Sequence, residues 1–148
     1  MNRANLNRVD LSGANLAGVN LSWANLTGTN MNQADLSGAN LQRANMRAAR
    51  LRRANLSGAN LSGASLTRAG LKRANLTGAN LSGAKLRKAN LSQANLERAD
   101  LTWADLIGAD FSKANLRGAN LGGADLDRAV LTDAKLAGAS FPDGRIMP

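Results

Sequence analysis

The sequence predicts an all-β solenoid, a chain wound repeatedly about one long axis with its large apolar side chains inside. Three observations carry this reading. A large apolar residue stands at every fifth position from Leu6 to Phe141, 28 sites in all, of which 24 are Leu and the others Met31, Met46, Phe111 and Phe141. Ala stands two positions earlier at 25 of these sites, the exceptions being Val9, Val19 and Thr29. Both prolines, Pro142 and Pro148, lie beyond the last site.

A period of five fits neither regular element. On an α-helix each Leu would be turned by about 140° from the last, so the leucines would wind around every side. On a flat strand an odd period sends successive leucines to opposite faces. They share one interior only if the backbone bends once per unit, which makes each unit a short extended segment plus a corner. The residue before the Leu is Asn at 15 sites and Asp at 6. These are poor strand formers, and the Ser-Gly and Thr-Gly pairs that often follow the Leu are turn chemistry. Where Gly is the second residue after Leu, a type II turn is expected, because its third residue needs φ > 0; corners bearing Arg or Trp there are expected to use another turn. Stacked coils would bond through backbone N–H groups, which Pro lacks, so prolines confined to the tail fit a ladder through the whole array.

The corner residues indicate how many units close a coil. Gly occurs at 18, 38, 58, 78, 118 and 138, interrupted only by Arg98, whereas the best series at spacing 15 has Gly at six of nine positions. Trp23 and Trp103 lie 80 residues apart, a multiple of 20. Four units per coil are favoured. About seven such coils at roughly 4.8 Å would form a rod about 34 Å long.

The units ANLSG (54–58, 59–63) and ANLTG (74–78) carry a resemblance. The chain resembles the pentapeptide repeat family, whose unit is A(D/N)LXX, and the match covers residues 4–141. The resemblance implies a right-handed quadrilateral parallel β-helix and a protein that acts by binding. The ending FPDGRIMP is similar to tails of cyanobacterial members. The expected organisation is a β-helix over residues 1–141 and a tail over 142–148 that caps it, with Phe141, Ile146 and Met147 folding over the last coil. Rod ends need caps or partners, and the N-terminal coil shows no such device, which makes it a candidate edge for homodimerisation or the junction to a preceding segment.

Composition removes several function classes. The 148 residues include no Cys and no His, the commonest zinc and copper ligands, so neither a metal centre nor a cofactor is expected. No apolar run approaches the roughly 20 residues that span a bilayer, and no signal-peptide pattern opens the chain, so a cytoplasmic protein without membrane association is expected. The aspartates at 10, 35, 100, 105, 110 and 125 occupy the regular position before Leu, interchangeable with Asn, and are expected to bond locally or form ladders. Ser and Thr have no partnering base motif. An enzyme is not expected.

Charge is the sharper signal. Net charge is +9; residues 1–96 carry 13 Lys/Arg against Asp10 and Asp35, and residues 97–148 carry 6 against 8 acids. Numbering modulo 20 brings Arg47, Arg50, Arg52, Arg53, Arg68, Lys72, Arg73, Lys85, Arg87 and Lys88 onto two consecutive faces, and so onto one edge. Like charges stacked about 5 Å apart are unfavourable, which points toward an anionic partner. The Asn position also fails there, replaced by Arg50, Ser65, Gly70 and Lys85. Two readings compete: a surface for a polyanion, nucleic acid or acidic protein, and a solvated face that keeps a regular rod dispersed. Trp23 and Trp103 share one outward column, Trp23 with Arg43 one coil on as a cation–π partner and Trp103 between Gly83 and Gly123, on which its ring could lie. Some pentapeptide repeat proteins bind type II topoisomerases by resembling duplex DNA, which requires a negative rod; the positive charge argues against that role. The resulting expectation is a non-enzymatic scaffold with an unidentified protein partner, with polyanion or nucleic-acid binding through the basic edge as the alternative.

Overall fold

The computed structural model describes residues 2–148. The residue before each core apolar side chain forms a parallel bridge with the residue 20 positions on, from Asn5↔Asn25 to Asn120↔Ser140. Twenty residues are four five-residue units, so equivalent positions in successive coils stand in columns along the rod.

One unit shows why these residue types recur. In Ala74–Gly78, the Ala74 N–H closes the preceding corner on Leu71 O (2.9 Å), and the Asn75 N–H reaches back one coil to Ala54 O (2.9 Å). The Leu76 and Gly78 N–H groups reach forward to Asn95 O (2.6 Å) and Glu97 O (2.9 Å). The fifth, the Thr77 N–H, is accepted by Asn75 Oδ1 at 3.2 Å. All five amides are thereby satisfied, and the Asn or Asp supplies the one acceptor that the backbone does not. All six aspartates before Leu do the same, as in Ser37 N–H to Asp35 Oδ1 (3.0 Å). The backbone N–H of Ser12 beside Asp10, and that of Ser37 beside Asp35, hold these two carboxyls below the usual carboxylate range. Asn side chains also join across coils, as in Asn115 Nδ2 to Asn95 Oδ1 (2.9 Å).

The corners correct one expectation. Every corner residue from Arg3 to Gly138 has positive φ, including the non-glycine residues Arg53 (58°), Arg68 (59°) and Trp103 (57°). Arg and Trp corners therefore use the same left-handed conformation as Gly corners, with the i→i+3 closing bond of a type II turn. The physical reason is the ladder. The corner N–H must meet the next coil while the following Ala N–H closes the turn, and these bonds offset the roughly 1–2 kcal/mol that a Cβ costs there.

The interior is filled. From Leu21 to Leu121 every core side chain of the Leu series is 0% exposed, Met31, Met46 and Phe111 included. Thr29, in an Ala slot, is equally buried and donates its hydroxyl to Leu6 O at 2.7 Å. Its companions Val9 and Val19 sit in the first coil, Val9 exposed and Val19 half-buried. At that end Leu6, Leu11 and Leu16 are half-buried, and the N–H groups of Asn5, Asp10, Asn15 and Asn20 have no backbone acceptor among the described residues. At the other end the tail turns back antiparallel, Ser140 pairing with Ile146. Met147 N–H bonds Ala139 O (2.9 Å) and Gly138 N–H bonds Met147 O (2.8 Å). Phe141 and Met147 are half-buried, but Ile146 points outward at 71% exposure and does not cover the coil. Among the described residues no helix is long and apolar enough to cross a membrane.

Candidate interaction surface

The parallel register sets the ten central cations in adjoining columns. Arg47 and Arg87 flank Thr67 in one, Arg68 precedes Lys88 in the next, and Arg52 precedes Lys72, with Arg53 and Arg73 beside them. Arg50 bridges Gly70, and Ser65 bridges Lys85, so the edge is continuous over three coils. Nine of the ten side chains are exposed and Lys72 is half-buried. Of these ten, only Arg87 forms a salt bridge among the described residues, with Asp105, which raises the Arg87 pKa. Arg73 Nε donates to Gln93 Oε1 at 2.8 Å, which orients the guanidinium without neutralising it.

The backbone adds a feature that charge counting misses. Where Asn or Asp is replaced, the amide two residues on loses its acceptor. After Arg50, the Arg52 N–H borrows Asn32 Oδ1 from the preceding coil (2.8 Å). After Ser65, Gly70 and Lys85, the N–H groups of Thr67, Lys72 and Arg87 have no protein acceptor among the described residues. Three donors thus lie open within the cationic edge. The sequence signal is simply a non-Asn/Asp residue two positions earlier.

The two tryptophans behave differently. Arg43 Cζ lies 4.9 Å from the centroid of the Trp23 ring, and Trp23 is 50% exposed. Trp103 is 77% exposed, and its ring rests on Gly123 and not on Gly83: a Cβ built on Gly123 would fall 2.5 Å from Trp103 Cε3, whereas one on Gly83 meets nothing within 4 Å. The same forward lean sets Arg8 on Gly28, Arg43 on Gly63 and Arg98 on Gly118. Gly123→Ala is expected to lower the melting temperature, because it adds both this clash and a Cβ at φ +67°. In Trp103→Ala the same change should cost measurably less, and equal costs in the two backgrounds would dismiss the ring contact.

A parallel ladder with a 20-residue register around a Leu and Ala core defines a β-helical repeat solenoid. The chain belongs to the pentapeptide repeat family: the family model described as "Pentapeptide repeats (8 copies)" matches residues 4–43, 44–83, 74–112 and 109–143. It is similar to HetL, a pentapeptide repeat protein involved in heterocyst differentiation regulation in the cyanobacterium Nostoc sp. strain PCC 7120. The two share 39% identity, with 99% of this chain and 78% of HetL covered, at a TM-score of 0.56. QnrB1, a plasmid-mediated fluoroquinolone resistance protein, shares the fold at 21% identity and a TM-score of 0.64, with 91% of this chain and 87% of that one covered. A comparison with curated proteins finds no match.

Proposed function

We propose that this chain is a non-enzymatic scaffold, a rigid rod of about seven coils whose outer surface engages a protein partner. One observation carries the reading: the core is packed to zero exposure from Leu21 to Leu121, so recognition falls to the outside. The basic edge is the part of that surface with the strongest field. HetL, a relative with a regulatory role, supports a binding function over a chemical one. A second reading, binding of a polyanion such as nucleic acid, is favoured by nine cations without ion pairs. Positive charge weighs against mimicry of duplex DNA.

Arg50/Arg52/Arg53→Ser separates these readings from a merely solvated face. Used as bait, the wild-type rod should enrich one acidic protein that the triple variant loses. On heparin at low salt the wild type should be retained and the variant should elute earlier. Retention of both proteins at equal salt would remove the edge from either reading.

The first coil, with its half-buried leucines and with amides that have no backbone acceptor among the described residues, supports a homodimer joined at that end. Sedimentation should then give a concentration-dependent dimer, and Leu11→Asp should abolish it. A monomer at high concentration would exclude this contact.

A further inference from the structure

We propose that the strip centred on Gly70 seats a backbone phosphate of a single nucleic-acid strand running along the rod between the two cationic corners. This rests on the polyanion reading above and deepens it.

In the usual unit a carboxamide or carboxylate oxygen accepts the N–H two residues later, as Asn75 does for Thr77 (3.2 Å). At Gly70 the chain has no such oxygen. The Lys72 N–H has no protein acceptor among the described residues, and a Cβ built on Gly70 meets nothing within 4 Å. A ligand oxygen can therefore occupy the place that an Asn side chain takes elsewhere. It would accept the same hydrogen bond, strengthened because the acceptor is ionised.

The surroundings suit an anion. Arg50 is the bridge partner of Gly70 on the preceding coil, and Asn90, a neutral amide, is its partner on the following one. Arg52 stands one coil before Lys72 in the same column. Arg68 lies on one corner beside the strip and Arg73 on the other, both at positive φ. None of these cations is ion-paired among the described residues. Nor is any Asp or Glu present between Asp35 and Glu97.

Shape favours a slender ligand. Gly70 has no side chain, so the seat lies at the level of the backbone, between corner residues whose side chains are exposed. A single strand fits lengthwise between the two rows, with its phosphates able to reach the floor. A duplex is broader than the strip and would rest on the corner side chains.

The test compares wild type, Gly70→Asn and Gly70→Ala. Asn restores the oxygen that most units carry without altering net charge, and Ala adds a methyl group but no acceptor. Binding is read by fluorescence anisotropy with a labelled oligothymidylate at low salt, and circular dichroism checks the fold. Gly70→Asn should weaken binding about tenfold, the loss of one charge-assisted hydrogen bond, while Gly70→Ala stays within about twofold of wild type. Heparin retention, which reads bulk charge, should be the same for all three. If Gly70→Asn binds oligothymidylate as tightly as wild type, the seat is wrong although the polyanion reading stands. A duplex binding wild type as tightly as the single strand would overturn the choice of ligand. Absence of heparin retention by wild type would overturn the reading beneath it, and the seat with it.

Discussion

Leu76→Lys is expected to abolish the cooperative folding of the rod. Leu76 is 0% exposed, with the equally buried Leu56 and Leu96 one coil to either side. Removing the leucine forfeits about 1.5–3 kcal/mol of burial, and the ammonium then faces a hydrocarbon column with no partner. Together these approach the whole stability of a typical domain, about 5–15 kcal/mol. Each coil touches only its neighbours, so a break at the middle also uncouples the two halves. Thermal unfolding followed by circular dichroism should show no native transition in Leu76→Lys, and one weakened by about 2–5 kcal/mol in Leu76→Ala. The exposed corner change Gln93→Lys serves as the control. A Leu76→Lys protein melting within a few degrees of wild type would contradict the packed interior.

Proline placement gives the second large effect. Asn75→Pro removes the N–H that bonds Ala54 O at 2.9 Å and puts a ring between coils, at a cost of about 3 kcal/mol or more. Asn75→Ala keeps that amide and loses only side-chain bonds, so it should cost about 1 kcal/mol. Two residues later the outcome reverses. The Thr77 N–H bonds only the Asn75 side chain, at 3.2 Å, and residue 77 is the second residue of a corner, where Pro is favoured. Thr77→Pro should therefore fold with nearly wild-type stability. The chain offers its own precedent, because Pro142 occupies the equivalent position after Phe141, in a turn closed by Gly144 N–H on Phe141 O (2.9 Å). Equal damage from proline at 75 and 77 would show that the division of amides within the unit is misassigned.

The contrast between these two positions also shows what could be read without coordinates. The fivefold apolar spacing forces a bend in every unit, because no unbent backbone brings Leu71, Leu76 and Leu81 to one interior. The corner at Arg53 was not legible, because local preference argues against φ of 58° for a residue with a Cβ. That conformation is imposed by bonds to neighbouring coils, which a single unit does not contain. The basic edge followed from numbering once the 20-residue register was in place. The open amides of Thr67, Lys72 and Arg87 did not, because seeing them requires knowing which acceptor each N–H ordinarily uses. The 20-residue register sets Trp103 between two glycines; that its ring chooses Gly123 over Gly83 follows from the forward lean of corner side chains, which only coordinates show.

The constant parallel register has a consequence for changes in length. Removing one whole coil shortens the rod but leaves every later residue above its old column. Removing one five-residue unit preserves the interior equally well, since Leu still follows Leu, yet rotates everything downstream by a quarter turn. Such a deletion between Ser57 and Arg68 would fold and still carry every charge, while splitting the cationic edge across different sides of the rod. The molecule is thus spelled in fives, but its surface tolerates editing only in twenties.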